Sequence, residues 1–220
     1  MKKNKENSTY YKNTRIEMLS LVPKSAKKIL EIGCGQGNFS SQLLGRKVEI
    51  WGVEPNKKSA QIADNKFYKV LIGTLDETID SLPNNYFDAI ILNDVLEHLL
   101  YPWNDLEYLK LKLKDEGNII ASIPNVRYSK NLVNLLVNKN WEYTTSGILD
   151  ATHFRFFTKK SILAMFDKCG YSVKKIKGIN ITKSFLYFPI ALLVNICLLG
   201  SQLDIFFMQY AVVVKKRINN

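Results

Sequence analysis

The 220-residue chain predicts a doubly wound α/β fold, a mostly parallel sheet with helices on both faces. Three observations point there. Short apolar runs alternate with helix-like stretches, the rhythm of βαβ units. A glycine turn follows directly on the first apolar run, as where a parallel strand feeds a helix over a bound ligand. Four strand ends carry polar residues, Glu31, Glu54, Asn93 and Asn125. Sheets of this kind hold their ligands outside the carboxyl ends of their strands.

Taken in order, Ile29–Ile32 is the first strand, and Gly33-Cys34-Gly35-Gln36-Gly37 the turn. Alternate glycines let the backbone pass close to a ligand in conformations a side chain would forbid. A helix is expected from about Phe39 to Leu44. The second strand, Val48–Val53, stops at Glu54-Pro55-Asn56, and Lys57–Ala63 reads as helical. Tyr68–Gly73 is the third strand, followed by Thr74-Leu75-Asp76 and a further helix. Phe87–Asn93 is the fourth, running into Asp94-Val95-Leu96-Glu97-His98-Leu99. Leu113–Asn118 reads as a polar turn before a fifth strand, Ile119–Ile123, ending at Pro124-Asn125. Beyond it, Asn131–Val137 and Lys159–Cys169 read as helices, Tyr171–Ile179 as strand six and Gln209–Val214 as a last strand.

The spacing of the turn separates two cofactor classes. A dinucleotide fingerprint, G-x-G-x-x-G, needs glycine where Asn38 stands. The segment Glu31-Ile32-Gly33-Cys34-Gly35-Gln36-Gly37 instead resembles the first motif of the class I methyltransferases that use S-adenosylmethionine. Strand four with Glu97-His98 resembles the matching motif of small-molecule methyltransferases. The run Leu149–Thr158 is similar to one in bacterial methyltransferases of cell-surface polysaccharide pathways. The resemblance covers most of the chain. It implies a Rossmann-like methyltransferase fold with seven strands, the last antiparallel. It implies S-adenosylmethionine as cofactor and transfer to an oxygen of a sugar or cell-envelope precursor. A nicotinamide-dependent oxidoreductase and a non-catalytic cofactor-binding or membrane-associated partner are the rival readings. The missing glycine at position 38 argues against the first and the intact loop against the second.

The resemblance also assigns cofactor residues. Glu31, Gly33, Gly35 and Gly37 lie along the methionine portion and ribose. Glu54, about 20 residues beyond the turn, accepts from the ribose hydroxyls, with a helix N-terminal carboxylate as the plain alternative. Leu75 covers adenine. Asp76 either accepts from its amine or caps the following helix. Asn93 and Asp94 face the methyl group.

The segment from about 125 to 160 is the expected substrate-side insertion. Asn125, Arg127, Asp150 and Arg155 are the substrate candidates there. His98 and His153, the two histidines of the chain, are the catalytic candidates, since imidazole titrates near neutrality. A packing role for His98 and a loop clamp at His153 stand beside that reading. Alignment alone also lowers the barrier to transfer.

Composition narrows the rest. Cys34, Cys169 and Cys197 are too few and too scattered for a disulfide framework or a metal site, and point to a reducing, cytoplasmic setting. The formal charge of +11 comes from scattered lysines without an Arg–aromatic stripe, so nucleic acid is not the expected partner. Met1–Asn13 reads as a polar tail leading to a helix at Thr14–Leu21, with a single domain over 14–220. Residues 184–207 form an apolar segment broken by Pro189, Asn195, Gly200 and Gln202. A bilayer span there would prevent the last strand from returning beside strand five, so a buried or surface-lying helix is expected, with peripheral contact at the inner membrane face left open.

Overall fold

The computed structural model describes residues 15–217; the expected tail and the helix start at Thr14 lie outside them. The strands are β1 (Lys28–Ile32), β2 (Glu49–Glu54), β3 (Lys69–Ile72), β4 (Phe87–Asn93), β5 (Leu113–Pro124), β6 (Tyr171–Ile181) and β7 (Phe207–Lys216), and the α-helices are α1 (Ile16–Leu19), α2 (Lys57–Asp64), α3 (Leu75–Thr78), α4 (Pro102–Lys112), α5 (Ser129–Leu136), α6 (Lys159–Lys168) and α7 (Tyr187–Cys197). They form one seven-stranded sheet in the order β3-β2-β1-β4-β5-β7-β6. β1 runs parallel to β2 and β4, β2 parallel to β3, and β6 antiparallel to β7. The predicted fold class is the one observed.

The described chain divides into two compact units. The first runs to Asn93 and adds Tyr108–Ile120; the second holds Asp94–Glu107 and the residues from Ala121 onward.

In the first unit, β1 and β4 are covered on both faces. Ile29, Leu30, Ala89, Ile90, Ile91 and Leu92 are almost wholly buried, which is why these strands read as continuous apolar runs. Asp88 fixes one end of β4: its carboxylate accepts from the Lys27 and Lys28 N–H groups at 2.8 Å and from Lys114 at 2.7 Å. Asn56 caps α2 (Lys57–Asp64) by accepting from Ser59 N–H. At β2, Gly52 is required by close approach, since a Cβ there would lie 2.7 Å from Cys34 Sγ. Burial pushes the Cys34 thiol far above its ordinary range, so this cysteine packs rather than reacts.

Three sequence expectations need correction in this unit. The residues after the glycine turn form a 3₁₀ helix, Ser40–Arg46, because paired serines and Gly45 disfavour an α-helix. β5 begins at Leu113 rather than Ile119; the stretch read as a polar turn is strand whose Lys114 finds its partner in Asp88. α3 (Leu75–Thr78) is capped by Thr74 through a reciprocal capping box with Glu77, so Asp76 is not the cap.

The second unit centres on the β6–β7 pair. Tyr171, 1% exposed, donates its hydroxyl to Leu106 O at 2.7 Å. α6 (Lys159–Lys168) is capped by Thr158. α7 (Tyr187–Cys197) takes up only part of the apolar segment. Asn195 explains the break: its amide donates to Ala191 O and Gln202 O and accepts from Gln202 N–H. Among the described residues, no helix is long and apolar enough to cross a membrane.

Candidate active site

The first unit builds a cradle at the carboxyl ends of β1 and β4, the neighbouring strands at which the chain order reverses. Gly33, Gly35 and Gly37 take φ of 65°, 53° and 75°, values open to glycine and costly for most other residues. Their N–H groups are spent within the protein. Gly33 and Cys34 donate to Val53 O at 2.8 and 3.2 Å, and Gly37 to Cys34 O at 2.8 Å. Gly35 donates to Glu54 Oε2 at 2.8 Å, while Glu54 Oε1 accepts from Asn56 N–H at 2.9 Å. Glu54 thus ties the glycine turn to the start of α2. An ionised carboxylate offers about four acceptor sites, so these two bonds leave room for ribose hydroxyls.

Glu31 is 3% exposed, and its Oε2 has no hydrogen-bond partner among the described residues. Burial pushes its carboxyl up to about 8, with Ser40 opposing and the Glu54 charge adding. The Asn93 side-chain oxygen and nitrogen are likewise shut from solvent without a partner among the described residues. Each such buried group costs about 1–3 kcal/mol, so the ends of β1 and β4 carry polar atoms that the described residues leave unsatisfied. Leu75 is buried and Asp76 exposed on the first turn of α3.

The raised Glu31 carboxyl has a consequence for stability. The folded chain keeps a proton that the unfolded chain releases near pH 4.5. That contribution is complete below pH 4.5 and is lost as pH rises through about 8. Denaturant unfolding without ligand should show stability falling over that window by up to about 1.4 kcal/mol per pH unit. Glu31→Gln should remove the slope; parallel wild-type and variant curves would contradict it.

The second unit gathers the other candidates. Asp94, at φ 53°, accepts at Oδ1 from the Ser122 hydroxyl and from Gln209 Nε2, each at 2.8 Å. A 3₁₀ turn, Leu96–His98, buries Glu97 to 1% exposure. Glu97 O accepts the Phe154 and Arg155 N–H groups at 2.9 and 3.1 Å, joining two segments far apart in sequence. The His98 and His153 rings meet edge to face with centroids 4.6 Å apart. His98 Nδ1 lies 3.2 Å from Thr152 O, and His153 Nδ1 lies 2.9 Å from Ile148 O. Burial, then the charge of His153, holds His98 below the usual imidazole value, against Thr152 and Asp150.

The substrate candidates are mostly engaged. Asn125 is wholly buried and donates its amide to Asp204 O and Phe207 O. The sequence reading turned it toward an acceptor; complete burial gives it the fold instead. Arg127 pairs with Asp204 and bonds Gln202. Asp150 is 6% exposed and accepts from the Thr152 N–H and hydroxyl. Arg155 donates to Leu100 O at 2.6 Å with its guanidinium 5.5 Å from the Trp103 ring centre.

A cavity of about 430 Å³ in this unit is lined by Lys130, Asn131, Asn134, Asn140 and Glu142, among others. Ile148, whose carbonyl faces His153, is also in its wall. Sequence reading missed this amide-rich wall, whose only trace is the density of asparagines from 131 to 140. It missed Gln209 as well; a lone amide in an apolar strand was the available signal.

Comparison with known proteins converges on one family. The model of the methyltransferase domain matches residues 5–176. A ubiquinone biosynthesis O-methyltransferase of Aeromonas salmonicida is 24% identical over 83% of this chain and 74% of its own. An uncharacterized methyltransferase of Anoxybacillus flavithermus is 32% identical over 36% of this chain, and the match spans 38% of that protein. Among solved structures, a SAM-dependent methyltransferase from Archaeoglobus fulgidus superposes with a TM-score of 0.69 at 21% identity, covering 92% of this chain and 91% of that one; this likeness concerns the fold.

Proposed function

The chain belongs to the methyltransferase domain family and is a methyltransferase whose methyl donor is S-adenosylmethionine, and on that premise we propose that it methylates an oxygen of a hydroxylated small molecule, a sugar or cell-envelope glycan precursor. The observation that carries the donor assignment is the loop. Its glycine N–H groups are spent on protein acceptors, so it offers no cup for a pyrophosphate, and two carboxylates stand beside it. The partnerless oxygen of Glu31 suits an ammonium group, and Asn93 supplies an unused donor and acceptor. Glu31 therefore holds the methionine amine, Glu54 the ribose, Leu75 the adenine face and Asn93 the polar edge.

When bound, the cofactor supplies an electrophilic methyl carbon on a sulfonium. Held by Glu31, Glu54, Leu75 and Asn93, that methyl group would be available for displacement by an acceptor oxygen. The hydroxyl proton must leave, and we assign its removal to His98 and His153. Both are set in place through Nδ1, leaving Nε2 for that work. Arg155, two residues past His153, bonds Leu100 O, two residues past His98, and so ties the two segments that carry them.

The amide-rich cavity supports a polar, many-hydroxyl acceptor. A second reading takes from the Aeromonas relative an acceptor of ubiquinone biosynthesis. The exposed Leu192, Leu193 and Ile196 of α7 favour it, since such a face suits peripheral contact with a membrane and an apolar acceptor. Incubation with methyl-labelled S-adenosylmethionine and two panels, nucleotide-linked sugars and phenols, separates them. Label in an ether on a sugar is the expected result; label only in phenols selects the second reading, and label only on nitrogen overturns both.

A further inference from the structure

We propose that Glu97, His98 and His153 form a binding site for a divalent first-row transition-metal cation. The sequence gives no metal spacing, because the two histidines stand 55 positions apart. The fold of the second unit removes that separation: one ligand atom from each of the three residues lies within 4.8 Å of the others. Around a cation held at about 2.1 Å, ligand atoms sit roughly 3–4 Å apart, so small side-chain movements close the set.

The orientation of the rings is an independent observation. In each histidine, Nδ1 faces a backbone carbonyl, Thr152 O at 3.2 Å for His98 and Ile148 O at 2.9 Å for His153. The Thr152 hydroxyl also lies 3.2 Å from His98 Nδ1, but it donates to Asp150 Oδ1 and so accepts here too; carbonyls accept, which assigns the proton to Nδ1 and the lone pair to Nε2 in both rings. Metal-ligating histidines are held in this way by an outer hydrogen bond that fixes tautomer and ring direction. The scaffold around them is equally firm. The Phe154 and Arg155 N–H groups both bond Glu97 O, and Asp150 holds the Thr152 turn. Glu97 brings a buried carboxylate to the two imidazoles.

Donor type selects the class of ion. Two imidazoles and one carboxylate suit zinc, cobalt, manganese or iron more than magnesium or calcium, which favour oxygen ligands. Three protein ligands leave positions open for water or an acceptor oxygen. This role rests on the reading that these side chains serve the acceptor. With the cation bound, the Nε2 lone pairs are donated to the metal and take no proton; a coordinated hydroxyl would instead lose its proton more readily, as metal-bound water does, and release it to solvent, so the metal would replace the imidazoles as the means of deprotonation.

Cobalt(II) titration of the chelator-stripped full chain tests the site, in a Cys197→Ser background because Cys197 is an exposed thiol. One equivalent should bind and give a visible absorption band of low-symmetry coordination. His98→Gln and His153→Gln should each lower cobalt affinity at least tenfold, and magnesium should bind at least tenfold more weakly than cobalt. Equal cobalt binding by the wild type and a folded double variant overturns the proposal. Should the variants fail to fold, pulsed electron paramagnetic resonance of manganese bound to the wild type decides. Coupling to imidazole nitrogen supports the site and its absence overturns it. Calorimetry with S-adenosylmethionine on the same samples separates the two claims. Cofactor binding without cobalt binding sinks the metal site alone, and cobalt binding without cofactor binding sinks the methyltransferase reading of this chain.

Discussion

Replacing Glu54 with Ala should weaken S-adenosylmethionine binding about ten- to a hundredfold. A charged acceptor of two ribose hydroxyls contributes about 1.5–3 kcal/mol. The structure adds a second route to the same loss. Glu54 also holds Gly35 N–H and Asn56 N–H, so its removal loosens the glycine turn before any ligand arrives. Glu54→Gln disturbs both routes at once. The amide retains one acceptor oxygen but turns its NH₂ toward a backbone N–H or a ribose donor, so its affinity should also fall. Calorimetry below the melting transition, paired with thermal unfolding by circular dichroism, reads both. Unchanged affinity in a folded variant would reduce Glu54 to a pin between the turn and α2.

Replacing His153 with Ala should cut turnover on the true acceptor by about a hundredfold or more, with cofactor affinity held within about twofold, a change below roughly 0.5 kcal/mol. The residue stands in the second unit, in edge-to-face contact with His98. Its loss removes an Nε2 lone pair and a ring support from the second unit. Arg155→Ala is the contrast. Its guanidinium bonds Leu100 O and lies over Trp103, so this change should lower the melting temperature. Lost cation–π contact contributes about 0.5–1 kcal/mol. A His153→Ala enzyme with wild-type turnover would leave His153 as a clamp on its own loop.

The sequence shows the parts of this molecule that are local. Parallel strands buried on both faces appear as apolar runs, and β1, β2 and β4 stand where those runs lie. The glycine turn, Glu31 and Glu54 are legible because chain direction alone places them at strand ends. What escaped depends on partners distant in sequence. Lys114 reads as turn residue until Asp88 is beside it. Asn125 reads as a binding residue because its partners, the Asp204 and Phe207 carbonyls, lie about eighty positions away, and the ion pair of Arg127 with Asp204 is hidden from the sequence by the same distance. His98 and His153 could each be singled out, but only the fold shows that they touch.

Calorimetry of the wild-type chain with S-adenosylmethionine, its demethylated product and NAD tests the central claim most directly. The committed loop amides and the two carboxylates beside them predict binding of both sulfur ligands and none of NAD. Tight NAD binding without S-adenosylmethionine binding would contradict the account.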